Sequence, residues 1–284
     1  MYAGFNLNIS QRLIPYIDFS QYRTRGETHL ATQENIVRRD LSKFVLEGTD
    51  IPDGRTIHDG TAIQYDWFPE VDADIFISHS HADSDLAEGL AGWLNETFGL
   101  RCFIDYNVWG YADDLLEKIN SEYSNKRVDQ FGGVVYDHQS CIAASKHVDT
   151  MLTMALYKMI DRCECVFLLN TGNSIQRYGD MPHDTTISPW IYSEIVCSQL
   201  IRKQPLSNYR KGMVLKHDER RFEAMQESFR PAYEVTTKHL HPLDTNILLN
   251  WKKQYQSIRC QYPLDALYTQ VPGINVDVLR VLLG

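Results

Sequence analysis

Between residues 73 and 200 the sequence alternates short β-branched or aromatic runs with longer stretches of helical period, and this rhythm constrains the fold more than any single motif. The run Ala-Asp-Ile-Phe-Ile-Ser at 73–78 reads as a strand. Residues 83–98 carry Leu86, Leu90, Trp93, Leu94 and Phe98 on one helical stripe, with Gly99 as the stop. Arg-Cys-Phe-Ile-Asp at 101–105 is a second strand, followed by a loop holding Trp109 and Gly110 and a helical pattern over 113–123. Residues 124–144 show no clear period. A strong helix is expected over 145–161 (Val148, Leu152, Ala155 and Met159), then a strand at 164–169, a polar loop and a helix opened by Ser188-Pro189. Strands alternating with helices of this length predict an α/β fold, a flavodoxin-like parallel sheet with helices on both faces. The ligand crevice of such a sheet lies at the carboxyl ends of its strands.

The flanks are less regular. Residues 1–70 read as an N-terminal extension packing on the core, with one helix over 32–46 (Val37, Leu41, Phe44 and Val45 on one face, Gly48 as the stop) and a loop over 49–70. Residues 71–284 read as the domain proper, with an insertion at about 111–144 and an extended C-terminal region. That region offers a strand at 233–237, a helix at 245–258 with Leu248, Trp251, Tyr255 and Ile258 on one side, and a short helix at 276–283.

Composition excludes several classes. The formal charge is −9, from 28 Lys and Arg against 37 Asp and Glu, with no basic tract, so a nucleic-acid partner is disfavoured. No apolar run approaches the ~20 residues a bilayer span needs, and the first ten residues lack the basic start and apolar core of a secretion signal. No membrane partner and a cytoplasmic location are therefore expected. Six cysteines, at 102, 141, 163, 165, 197 and 260, show no zinc-like spacing and read as reduced, mostly buried thiols.

The chemistry gathers around Glu194. Ser188 at the N-cap and Pro189 at the first helical position start a helix on which Trp190 and Glu194, four apart, share a face. Ile191 and Ile195 lie on the neighbouring line, with Val196 and Leu200 extending the apolar side. A half-buried helix with an exposed glutamate and a packing tryptophan has the same pattern. The segment Ser78-His-Ser-His-Ala-Asp-Ser84 puts hydroxyls and imidazoles at a helix start, where backbone amides suit a pyrophosphate or ribose; Asp83 or Ser84 acting as a simple cap fits equally. It lacks the glycine spacing of a dinucleotide-binding loop, so hydride transfer is not supported. Trp109 is either a stacking surface for a base or an apolar anchor. His239 and His241 have no third ligand in sequence and read as structural.

Four segments in order resemble the Toll/interleukin-1 receptor (TIR) domain family. Asp-Ile-Phe-Ile-Ser at 74–78 looks like its first strand. Cys-Phe-Ile-Asp at 102–105 looks like its second strand. Cys-Val-Phe-Leu-Leu-Asn at 165–170 and Ser188-x-Trp190-x-x-x-Glu194 look like its third strand and the helix that follows. The match spans 72–202. The loop after the second strand, the insertion before the 145–161 helix and residues 1–70 depart from the pattern. The resemblance implies an NAD-cleaving enzyme of the kind found in bacterial anti-phage defence, with Glu194 as the catalytic carboxylate. NAD is its substrate, it needs no bound cofactor or metal, and Trp190, His81, Ser80 and Trp109 are substrate-binding candidates. His81 stands above Ser80 and His79, because the matching position in relatives often contacts the nucleotide. TIR self-assembly or an activating protein is the implied partnership. The competing expectations are a non-catalytic TIR scaffold, for which Glu194 is dispensable and 124–144 makes the contacts, and a nucleoside deoxyribosyltransferase-like enzyme.

Overall fold

The computed structural model describes residues 1–8, 17–37, 48–50, 52, 56–105, 112–178, 182–210, 232–258 and 260–274. Trp109, the second half of the 32–46 helix and the 276–283 helix lie outside the described residues. The first described elements are β1 (Ala3–Asn8), α1 (Arg23–Val37), β2 (Gly48–Asp50), β3 (Thr56–His58), α2 (Gly60–Trp67), β4 (Ile75–Ser78), α3 (Ser84–Phe98) and β5 (Cys102–Phe103). The insertion holds α4 (Ala112–Tyr123), β6 (Arg127–Val128) and β7 (Val134–Val135). Then follow α5 (His138–Arg162), β8 (Cys165–Asn170), β9 (Thr185–Thr186), α6 (Pro189–Leu200), β10 (Tyr233–Glu234), β11 (His241–Leu243), α7 (Thr245–Ile258) and α8 (Pro263–Tyr268).

Five strands form one parallel sheet in the order β11-β1-β8-β4-β5. Side-chain alternation sorts its residues onto two faces. Phe5, Leu7, Ile75, Ile77, Cys102, Ile104, Phe167 and Leu169 join a core built with Leu90 and Trp93 of α3, Trp251 of α7 and Leu267 of α8. Phe76, Phe103 and Val166 face the other way, onto Trp67 of α2, Leu115 of α4, Met159 of α5 and Cys197 of α6. Leu168 makes a third cluster with Ile191 and Ile195 of α6, Val235 and Leu240. The fold is therefore the expected α/β, flavodoxin-like arrangement, a parallel sheet with helices on both faces. Among the described residues no helix is long and apolar enough to cross a membrane.

The chain takes an unexpected route through that sheet. Counted from β4, the strands β5-β4-β8 follow the 2-1-3 half of the flavodoxin order. The fourth position is filled by β1, from the segment read as an extension. It pairs with β8 over all six residues, from Ala3↔Cys165 to Asn8↔Asn170. A Cβ on Gly4 would meet Leu240 Cδ2 at 2.6 Å, so the Leu240 side chain packs directly over the strand there. The 233–237 strand is realised only as β10, in an antiparallel ribbon with β9 outside the main sheet. The fifth sheet strand is instead β11, an edge strand that tolerates Pro242.

The second part of the N-terminal segment is held by contact between backbones. A 3-10 turn at Phe19–Tyr22 leads into α1, which crosses α3 where Gly26, Gly89 and Gly92 meet. A Cβ on Gly26 would lie 1.9 Å from the Glu88 carbonyl oxygen, and one on Gly92 would lie 2.1 Å from that of Tyr22. His29 of α1 accepts the Cys102 N–H of β5 at 3.1 Å, joining this helix to the sheet edge.

Candidate functional site

The parallel sheet directs attention to the carboxyl ends of β4 and β8. From β4 the chain moves outward to β5, whereas β8 lies on β4's other side, which makes the gap between β4 and β8 the topological switch point. Ser78 ends β4. Ser78 shares the Phe76 face, which carries α6, and Asp105, in the helical turn after β5, lies close enough for its charge to act on both Glu194 and His79.

α6 begins as its sequence implies. Ser188 Oγ accepts the Ile191 N–H at 3.2 Å, and Pro189 occupies the first turn. Ile191 and Ile195 pack into the third cluster, which fixes the helix's rotation. Glu194 consequently points at the sheet, where Ser78 Oγ donates to its Oε2 at 2.5 Å. The carboxyl is 3 % exposed. Burial pushes its pKa well above the usual carboxylate range, and the charge of Asp105 adds to that, while the Ser78 hydrogen bond pulls it partly back. Glu194 is thus not the exposed surface glutamate that its helix pattern also allowed. Leu200, expected on the apolar side, is 78 % exposed, and Cys197 and Ser198 are buried in its stead.

The loop after β4 holds a second buried polar group. His79 is 9 % exposed, and among the described residues neither ring nitrogen meets a partner at hydrogen-bond geometry. Burial lowers its pKa, and the charges of Asp105 and Asp83 oppose that shift. Asp83, expected as a helix cap, makes no capping bond to α3. Its carboxylate accepts Thr171 Oγ1 at 2.5 Å and Asn173 Nδ2 at 2.8 Å, tying the loop after β8 to the start of α3. Ser84 likewise does not cap; its hydroxyl donates to the His81 carbonyl at 2.6 Å.

The remaining candidates are dispersed. His81 is exposed, and Ser80 is half-buried with no side-chain cap bond. Trp190 is half-buried against the cluster of Phe76, Phe103 and Met159. His239 meets Ser198 Oγ at 2.9 Å and His241 lies in β11 beside Phe5. All six cysteines are free, Cys141 half-buried and the others buried. Among the described residues no group of three or more His, Cys, Asp or Glu side chains is placed to hold a metal ion.

The site that assembles is therefore Ser78, His79, Asp105 and Glu194. Ser78 and Asp105 were visible in sequence as the last residues of the first two strand motifs. Their shared signal is position, since both stand where a parallel strand delivers side chains to the crevice.

A recess of about 450 Å³ opens at the opposite, amino end of the strands, lined by Asp74, Arg101, Arg162, Glu164, Arg210 and Tyr262 among others. Most of its charges pair within the recess, although Arg162 Nε has no hydrogen-bond partner among the described residues. Arg101 pairs with Asp72 and Asp74, Arg162 with Glu70, and Arg210 with Glu164 and Asp265. Chemistry favours the carboxyl end, where the Glu194 carboxyl and the His79 ring are both buried within reach of the Asp105 charge. Comparisons with protein-family models, with curated proteins and with solved structures returned no match.

Proposed function

We propose that the chain is a TIR-type enzyme that breaks the nicotinamide–ribose bond of NAD, with Glu194 as the carboxylate that faces the ribose. The observation that carries this reading is the buried Glu194 carboxyl, hydrogen-bonded to Ser78 at the switch point of a parallel sheet. Cleavage builds positive charge on the sugar in an oxocarbenium-like transition state, which a fixed anion in a water-poor site stabilises.

The raised pKa of Glu194 fits a cationic substrate in particular. A buried carboxyl without a cation holds its proton. The nicotinamide-ribosyl unit brings a positive charge, which favours the ionised form, so that the anion is created where and when it is needed. Because nicotinamide leaves as a neutral base, no general acid is required. Ser78 orients the carboxylate through its hydrogen bond, and the released proton passes to solvent. Hydrolysis, cyclisation and ADP-ribosyl transfer share this first step and differ in what attacks the sugar. In a TIR setting the role is NAD depletion or signal production in cytoplasmic innate immunity.

A second reading rests on the proximity of Asp105, whose charge helps keep Glu194 protonated. A protonated carboxyl beside an ionised one is suited to neutral nucleosides, whose departing base needs a proton. Parallel incubations with NAD and with inosine, products identified by mass spectrometry, separate the two. The first reading predicts free nicotinamide and intact inosine. Hypoxanthine release with NAD left intact would favour the second.

A further inference from the structure

The insertion between α4 and α5 folds into a hairpin. β6 and β7 pair antiparallel, with Arg127 opposite Val135 and Val128 opposite Val134. Its turn is fixed. The Asp129 carboxylate accepts the Phe131 N–H at 2.8 Å and the Gly133 N–H at 2.7 Å, and Gly132 takes the left-handed φ of 83°. The Asp137 N–H closes the base onto the Ser124 carbonyl at 2.7 Å. Yet the arm carries apolar side chains into solvent: Val128 is 70 % exposed, Phe131 87 %, Val134 53 % and Val135 44 %. A rigid projection with this much exposed apolar surface is a contact surface in search of a partner.

The backbone indicates which partner. The Asp129 N–H donates to the Gly133 carbonyl at 2.9 Å, so Asp129 and, by alternation, Arg127 turn their peptide groups toward β7. Val128 therefore turns its N–H and C=O outward on an open edge. Laid antiparallel against an identical edge about Val128, the strand is self-complementary. Val128 meets Val128 and exchanges both hydrogen bonds, and Arg127 falls opposite Asp129. Val128 and Val134 of both copies share one face, while two Arg127–Asp129 pairs occupy the other. Lys126 and Arg127 also place positive charge at the one point where two chains of net −9 would touch.

We propose that this hairpin pairs edge to edge with that of a second copy of the chain, forming a four-stranded sheet across a two-fold axis. The contact is independent of the chemistry at Glu194. It is smaller than a permanent interface, so association that depends on concentration is expected.

Sedimentation velocity on the full chain from about 1 to 300 µM tests it. The weight-average mass should rise from the 32.9 kDa monomer toward twice that value. Val128→Pro removes only an outward N–H, so the hairpin and the circular dichroism should persist while association is lost. Arg127→Glu sets an acid opposite Asp129 in both pairs and should weaken association roughly tenfold, less so at high salt. A parent chain that stays monomeric throughout, or a Val128→Pro chain that associates as the parent does, overturns the proposal.

Discussion

Replacing Gly92 with alanine tests the claim that the N-terminal segment is built into the fold by backbone contact. A Cβ at 92 would sit 2.1 Å from the Tyr22 carbonyl oxygen and 2.6 Å from the Gly26 nitrogen, whereas ordinary contact begins at 3.4 Å. The gap must open by roughly 1.3 Å, the difference of those distances. Both obstacles are backbone atoms, so no rotamer change relieves them, and α1 with its preceding turn must lift off α3. That loosens Phe19 and Leu30 from the core around Trp93 and strains the Cys102–His29 hydrogen bond. In an unconstrained helix Gly→Ala stabilises by about 1 kcal/mol. Overpacking of this kind costs about 3 kcal/mol. The net expectation is a loss of about 2 kcal/mol, or a melting temperature lower by about 3–4 °C for a chain of 284 residues. Thermal unfolding followed by circular dichroism measures it. Gly172→Ala is the control, because nothing lies within 4 Å of the place its Cβ would take and little change is expected there. A Gly92→Ala protein that melts at or above the parent would refute the reasoning, since propensity would then have outweighed the crossing.

Two further outcomes follow from buried titratable groups. Burial pulls the pKa of His29 down to about 4 from 6.5, so the folded protein keeps the ring neutral where the unfolded chain takes up a proton. Stability should therefore fall as pH drops from 6.5 toward 4, by about 2–3 kcal/mol at pH 4.5, and denaturant titrations of His29→Gln should show that much less acid loss. Glu194 has the opposite sign, because its folded pKa is raised. Its burial costs stability increasingly as pH rises above the ordinary value of 4.5, so Glu194→Gln should melt higher than the parent at pH 8 and equal to it near pH 4. An unchanged difference between those pH values would contradict the buried-carboxyl assignment.

The sheet was legible in sequence wherever its strands carry apolar residues on both faces, as parallel strands buried on both sides do. The runs Ile-Phe-Ile and Cys-Val-Phe-Leu-Leu announce β4 and β8 directly. β1 escaped because its outward positions are Gly4, Asn6 and Asn8; the first two are covered by the segment around Thr237 and Leu240 rather than by an apolar helix, with Asn6 Nδ2 donating to Thr237 Oγ1 at 3.1 Å, and Asn8 is exposed. The first half of α1, from Arg23, escaped for a related reason. It packs through a glycine notch, which leaves no apolar stripe to read. α5 starts at His138 rather than 145, capped by Asp137, because its first turns project beyond the core and need no period. α2, read as loop, is opened by Asp59 accepting the Thr61 and Ala62 N–H groups, and it buries Ile63 and Trp67 one turn apart.

The candidate site divides along the same line. Glu194 was singled out by the TIR resemblance, since its helix pattern fits an exposed glutamate equally; the structure adds that its carboxyl is buried on Ser78. Ser78, His79 and Asp105 became meaningful only once register placed the strand ends together. His81 follows Ser78 within the same loop, and the 3-10 turn at His81–Asp83 leaves it at the surface.

The most direct test of the account is nicotinamide release from NAD by the parent chain and by Glu194→Gln, a change that keeps the Ser78 acceptor and removes only the ionisable group. The account predicts turnover by the parent and a loss of at least about a hundredfold in the variant, with folding intact, as expected for removing a group that stabilises transition-state charge. Equal release by the two proteins would contradict it.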